Sequence, residues 1–230
     1  MKRRVRLAAT AALAVVVAAL GGCGSSGGVL PLERQFVEIR PGETDVATVL
    51  NILPEADTLH TSDKAAVYRG ERWRQELGIV SFDSQSSLVK RTDYVARRSS
   101  QWVPLAKEKL SVVVQTVVPQ SLIEQPYENA MRKQVAILEF CHEALVADAE
   151  PFEEDQATVR MMGLARWALR EGMVYLKARP REACVLGEAD GFSYEHSVLG
   201  KCRMSLRQEQ ENQYTLELTA ADWVDVVDTW

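Results

Sequence analysis

Histidine is scarce in this chain, with three residues in 230, and cysteine (four) and aromatic residues (7%) are nearly as sparse. His60, His142 and His196 lie far apart, which excludes the paired-histidine spacings of zincin-type zinc sites. Glycine (13) and proline (8) are too few, and hydrophobic residues (47%) too many, for a collagenous or disordered chain. The longest apolar stretch, Leu7 to Leu20, falls short of the roughly 18 residues that a membrane-spanning helix needs, so a multi-span membrane protein is excluded. Basic charge is also in deficit: 27 Lys and Arg face 32 Asp and Glu. What remains is the composition of one or two ordinary globular domains.

The N-terminus carries an address. Lys2-Arg3-Arg4-Val5-Arg6 precedes the apolar stretch, which ends in Gly21-Gly22-Cys23, the layout of a signal peptide. Leu20-Gly21-Gly22-Cys23 resembles the lipobox of bacterial lipoproteins. That resemblance implies removal of residues 1–22, diacylation and then N-acylation of Cys23, and stable anchoring to a membrane. An ordinary secretory signal and an uncleaved anchor are the alternatives. The chain from Cys23 onward carries 23 basic and 32 acidic residues, a poor match to nucleic acid. Gly24 rather than Asp after the acylated Cys resembles the outer-membrane default of Gram-negative sorting, which places the protein on the inner leaflet facing the periplasm. Residues 23–31 form the acylated Cys and a Gly/Ser-rich tether.

Residues 32–102 are expected to form a first α+β module. Arg40-Pro41-Gly42 reads as a turn, and Thr44 then opens a helix with Val46, Val49, Leu50 and Leu53 on one face before Pro54 stops it. Ala65–Tyr68, Arg72–Val80 and Leu88–Ala96 read as an antiparallel meander of three strands. Ile39-Arg40-Pro41-Gly42-Glu43-Thr44, Leu53-Pro54, and Ile79-Val80-Ser81-Phe82-Asp83-Ser84 with Leu88-Val89 resemble the motifs of the BamE/SmpA outer-membrane lipoproteins. The resemblance spans residues ~34–98 and implies a docking role in β-barrel assembly at the outer membrane. Glu43 stands where that family has Met, and Ile52 where it has Gly.

Residues 103–230 are expected to form a second, acidic α+β domain, since Lys109 to Trp230 holds 12 basic and 20 acidic residues. Leu110–Val118 reads as a buried strand. Helices from Pro126 to Asp148 and from Asp155 to Lys177 form a hairpin, with Val135, Leu138, Cys141 and Leu145, then Val159, Met162, Ala165, Leu169, Met173 and Leu176, turned inward. Ala183–Leu186, Tyr194–Leu199, Cys202–Leu206 and Tyr214–Leu218 read as short strands. A terminal helix carries Trp223, Val226, Val227 and Trp230 on one face. The fold class is thus α+β: a short helix plus antiparallel meander, then a strand, a helical hairpin and antiparallel strands.

No catalytic constellation, metal set or cofactor fingerprint emerges. Glu139-x-x-His142 has the spacing of a di-iron ligand pair but occurs once. His142-Glu143 starts a zincin pattern that Val146 ends. Ser87-Leu88-Val89-Lys90 matches a serine acyl-enzyme unit without its partner motifs. Cys184 and Cys202 flank a turn at Asp190-Gly191 and are candidates for a disulfide, whereas Cys141 is read as a packing residue. Arg91, Arg97 and Arg98, with neighbouring basic residues, either meet anionic headgroups at the membrane surface or form a solvated strand face. The reading is a non-catalytic docking or scaffolding lipoprotein, held to the membrane through acylated Cys23 and partnered by an envelope protein. The alternatives are a lipoprotein that takes a small ligand or cell-wall component in its C-terminal half, around Trp223 and Trp230, and an unrecognised hydrolase.

Overall fold

The computed structural model describes residues 31–53, 57–61, 64–70, 76–98, 109–145, 156–179, 181, 185–188 and 190–220. Helices α1 (Pro31–Glu38) and α2 (Val46–Ile52) precede strands β1 (Asp57–Thr61), β2 (Ala65–Arg69), β3 (Glu76–Phe82), β4 (Val89–Arg98) and β5 (Lys109–Val117). Helices α3 (Gln120–Ile123), α4 (Ala130–Ala144) and α5 (Gln156–Ala178) follow, and strands β6 (Phe192–His196), β7 (Gly200–Gln208) and β8 (Gln213–Ala220) come last. The protein is α+β, as its sequence pattern indicates.

All eight strands join one antiparallel sheet in the order β1-β2-β3-β4-β5-β8-β7-β6. The expected division at residues 102 and 103 is not a break in this sheet. It falls between β4 and β5, which pair from Arg91↔Thr116 to Arg98↔Lys109, and residues 31–230 form one compact unit. A two-domain split would leave β4 and β5 as edges with unpaired amides and carbonyls, and pairing them removes both edges.

Local chemistry explains most boundaries. Asp45, not Thr44, caps α2, its Oδ1 accepting from Thr48 N at 2.7 Å. The Thr44 hydroxyl instead accepts from Arg40 N at 2.8 Å and closes the preceding turn, whose Gly42 has φ +81°. Such a φ favours glycine. Asn129 caps α4 through Arg132 N at 2.9 Å, so this helix starts after Pro126 rather than at it. Helix α1 and strand β1 fall where no regular element was expected. Val185 and Leu186 sit in a turn where a strand was expected, since Leu186 O accepts from Leu206 N while its side chain is fully buried.

Side-chain alternation gives the sheet two unlike faces. On one face Leu77, Ile79, Val95, Leu110, Val112, Val114, Met204, Leu216 and Leu218 meet the α4–α5 hairpin in the main core. The inward stripes read from the sequence are buried there: Val135, Leu138, Cys141 and Leu145 of α4, and Met162, Ala165, Leu169, Met173 and Leu176 of α5. On the other face α1 packs against β3 and β4. Phe36 lies directly over Gly78, where a Cβ would stand 2.2 Å from the ring, and 6.3 Å from the Tyr94 ring. Glycine inside a strand marks such a close approach.

A candidate binding groove and two buried polar clusters

Beside α1 the second face opens into a groove of about 540 Å³. The β4–β5 register pairs Thr92 with Gln115 and Tyr94 with Val113, and the β5–β8 register pairs Val113 with Glu217 and Gln115 with Thr215. Alternation turns these six side chains to one side, where they floor the groove. Phe36, Ile39 and the Arg40-Pro41 turn form one wall, and Arg207 of β7 forms the other. Arg207 ion-pairs with Glu217 across the β7–β8 ladder.

One end of the groove is closed by contacts between distant parts of the chain. Gln213 Nε2 donates to Pro41 O at 2.6 Å, and Gln210 Nε2 donates to Glu43 Oε1 at 2.9 Å. The Glu43 carboxylate thereby fastens the helix-start turn to the β7–β8 hairpin.

The first polar cluster lies on the helix-facing side of β4. Arg91 Nε donates to Asp93 Oδ2 at 2.8 Å, with the two side chains 2% and 1% exposed. This corrects the reading of Arg91 as a membrane-surface contact: β4 is an interior strand, and its odd-numbered residues face the core. Arg97 and Arg98 extend β4, and their side chains lie outside the described residues. Cys141 packs near the ion pair, and burial, with Asp93 adding to it, pushes its thiol up to about 12. That suits an inert packing residue.

The second cluster joins α5 to the β6–β7 turn. His196, expected at the surface or half-buried, is enclosed completely, with its side chain 0% exposed. Its Nδ1 accepts from Val198 N at 3.1 Å and from Leu199 N at 3.0 Å. Those two bonds place the ring proton on Nε2, which faces Glu171 Oε2 at 3.5 Å. Glu171 also accepts from Ser197 N at 3.2 Å and Ser197 Oγ at 2.9 Å. The Trp167 ring meets the imidazole edge-on at 4.7 Å. With Nδ1 saturated by amides, His196 is built to hold a turn and has no lone pair left for a substrate.

Cys202 carries a free, buried thiol, and the other half of the expected bridge lies outside the described residues. Its side chain points from β7 into the core beside Tyr194, away from solvent, and burial raises its thiol to about 11. Cys184 lies outside the described residues, as do Cys23, Trp223 and Trp230, and His60 stands in β1 opposite Val67, its side chain outside the description. Glu139 is ion-paired with Lys177, and His142 Nε2 faces Arg166 O at 3.2 Å. The Glu-x-x-His spacing therefore serves the α4–α5 interface. Among the described residues no group of three His, Cys, Asp or Glu is placed to hold a metal ion, and no helix is long and apolar enough to cross a membrane.

The groove was not legible as a site, because its floor comes from β4, β5 and β8 and its wall from α1. No protein-family model matches the chain, and no characterised protein or solved structure matches it.

Proposed function

We propose that this protein is a lipid-anchored envelope protein that docks a partner protein in the groove beside α1, close to the membrane that holds Cys23. The observation that carries this reading is that the groove wall follows the tether directly. Seven residues, 24–30, lie between Cys23 and Pro31, where α1 begins. At full extension they reach no more than about 30 Å. An acylated Cys23 would thus keep Phe36 and Ile39 within reach of membrane-associated partners. The resemblance of residues ~34–98 to BamE/SmpA lipoproteins supports a role in outer-membrane or envelope assembly, and the short helices followed by an antiparallel meander agree with it. Scaffolding rather than catalysis is the reading proposed.

The groove's size favours a second reading. A volume of about 540 Å³ lies within the range of roughly 300 to 1,000 Å³ typical of clefts that take small molecules. In that case the ligand, or a cell-wall component, sits between both halves of the chain rather than in the C-terminal half alone.

Affinity purification of the full lipidated protein from detergent-solubilised envelopes tests the proposal, beside Cys23→Ala and Val113→Arg. Docking predicts a stable protein partner that is retained by the wild type and lost from Val113→Arg, whose new charge stands on the groove floor. The Cys23→Ala form should lose it as well. If the wild type elutes alone, or if Val113→Arg retains the same partner, docking in the groove is wrong. Native mass spectrometry of the wild type then addresses the ligand reading.

A further inference from the structure

The His196 cluster does not touch the groove and serves no step proposed above. A single proton would nonetheless break both bonds that its Nδ1 accepts. We infer that His196 is a protonation latch, holding the β6–β7 turn closed on itself while its imidazole is neutral and releasing the Val198 and Leu199 amides when a second proton binds.

The geometry sets the direction. Neutral His196 offers its Nδ1 lone pair to two amides, Val198 N and Leu199 N. A proton on Nδ1 removes that lone pair and points an N–H at two other N–H groups. The turn then loses both bonds, and buried amides left without acceptors are costly. Rotating the ring gives no relief, because the side chain is 0% exposed and Trp167 sits 4.7 Å away. Opening the turn is the remaining response.

The groups around the imidazole bear on how readily this happens. From α5, Glu171 is the facing charge, and its carboxylate favours the imidazolium. Arg170 of α5 and Glu195 of β6 line the shallow cavity outside Glu171. From β6, Tyr194 is neutral across the relevant range, its hydroxyl held by Ala168 O and its ionisation pushed up by burial. From β7, Cys202 remains a thiol, and Lys201 pairs with Glu195 across the strands on the opposite side of the sheet. Burial outweighs the pull of Glu171, so His196 takes its proton below the usual histidine range. The sign follows: an unfolded or opened turn binds a proton more readily than the closed one. Stability from the neutral ring is therefore complete above the ordinary histidine value and lost as pH falls through the lowered one. Burial raises the Glu171 carboxyl, but the hydrogen bonds it accepts from Ser197 N and Oγ outweigh that effect and hold it below the usual carboxylate range. It stays ionised while the latch opens.

Hydrogen exchange read by mass spectrometry on the full chain in detergent micelles, from pH 7.5 to 4.5 and corrected for intrinsic exchange, tests the latch. Amides of residues 197–200 should lose at least tenfold protection across acid pH while those of α4 keep theirs. His196→Asn places a non-titrating acceptor near the Nδ1 position and should abolish the pH dependence. Glu171→Gln keeps an acceptor for Ser197 but removes the counter-charge, and should move the midpoint to lower pH. A flat wild-type profile overturns the latch. So does an unchanged acid transition in His196→Asn, or one in Glu171→Gln that moves upward or stays in place.

Discussion

Glu43 and Gln210 lie 167 residues apart in the chain, yet Gln210 Nε2 donates to Glu43 Oε1 at 2.9 Å. Together with the Gln213 bond to Pro41 O, this contact ties the turn before α2 to the β7–β8 hairpin.

Glu43→Met should therefore loosen the clasp without unfolding the protein. The contact is exposed and solvent screens its charge, so a loss of about 0.5 to 1 kcal/mol is expected, the lower part of the range for an ordinary hydrogen bond. Chemical denaturation reads the loss. Hydrogen exchange at residues 209–213 should rise in the same variant, and an unaltered rate there would show that Gln213 alone holds the hairpin.

Gly78→Ala should cost more, because the added Cβ would stand 2.2 Å from the Phe36 ring. Phe36 is 3% exposed and packs near Tyr94, so it has little room to withdraw. Overpacking of this kind costs about 1 to 3 kcal/mol. Phe36→Leu in the same chain should recover part of the loss by removing the ring edge. Additive losses in the double variant would place the strain elsewhere.

The Arg91–Asp93 pair predicts a difference between single and double replacements. Arg91→Leu strips a buried carboxylate of its ion partner, a change worth about 3 to 5 kcal/mol. Arg91→Leu with Asp93→Leu removes both charges from the core and should lie closer to wild type in urea unfolding. If the double variant is the less stable of the two, the pair contributes more than its own desolvation cost.

Cys141 and Cys202 should resist alkylation in the folded protein at pH 8, since burial raises their thiols to about 12 and about 11. In denaturant without reductant both should react with iodoacetamide, as measured by peptide mass. A Cys202 that stays unmodified under those conditions would reveal a disulfide formed in the cell, and the free thiol would then describe only the reduced protein.

Much of this architecture was legible, for reasons local to each element. The α4 and α5 stripes repeat at helical spacing, and from Val135 to Leu145 and from Met162 to Leu176 the residues read inward are buried, while the Val159 side chain lies outside the description. Strands β2, β4, β5, β7 and β8 announced themselves through β-branched and apolar runs bounded by turns. Helix α1 did not, because its core contacts are few and widely spaced: Leu32, Phe36 and, just beyond it, Ile39. Arg91 misled for a related reason. An arginine in a strand is usually solvated, and only the α4–α5 hairpin packed over this face of the sheet turns it into the core.

The sequence by itself determined the secondary structure of most of the chain, the α+β class and the inward helix faces, because hydrophobic spacing within about a dozen residues records which side of an element meets water. The expectation of lipidation at Cys23 rests on the same kind of local pattern. Tertiary structure alone decided that β5 pairs with β4 and with β8, so that two apparent halves share one sheet. It also decided that Glu43 meets Gln210, that a groove opens beside α1, and that His196 is enclosed. Strand order and long-range side-chain meetings depend on which surfaces find each other after the elements form, and no short stretch of sequence carries that information.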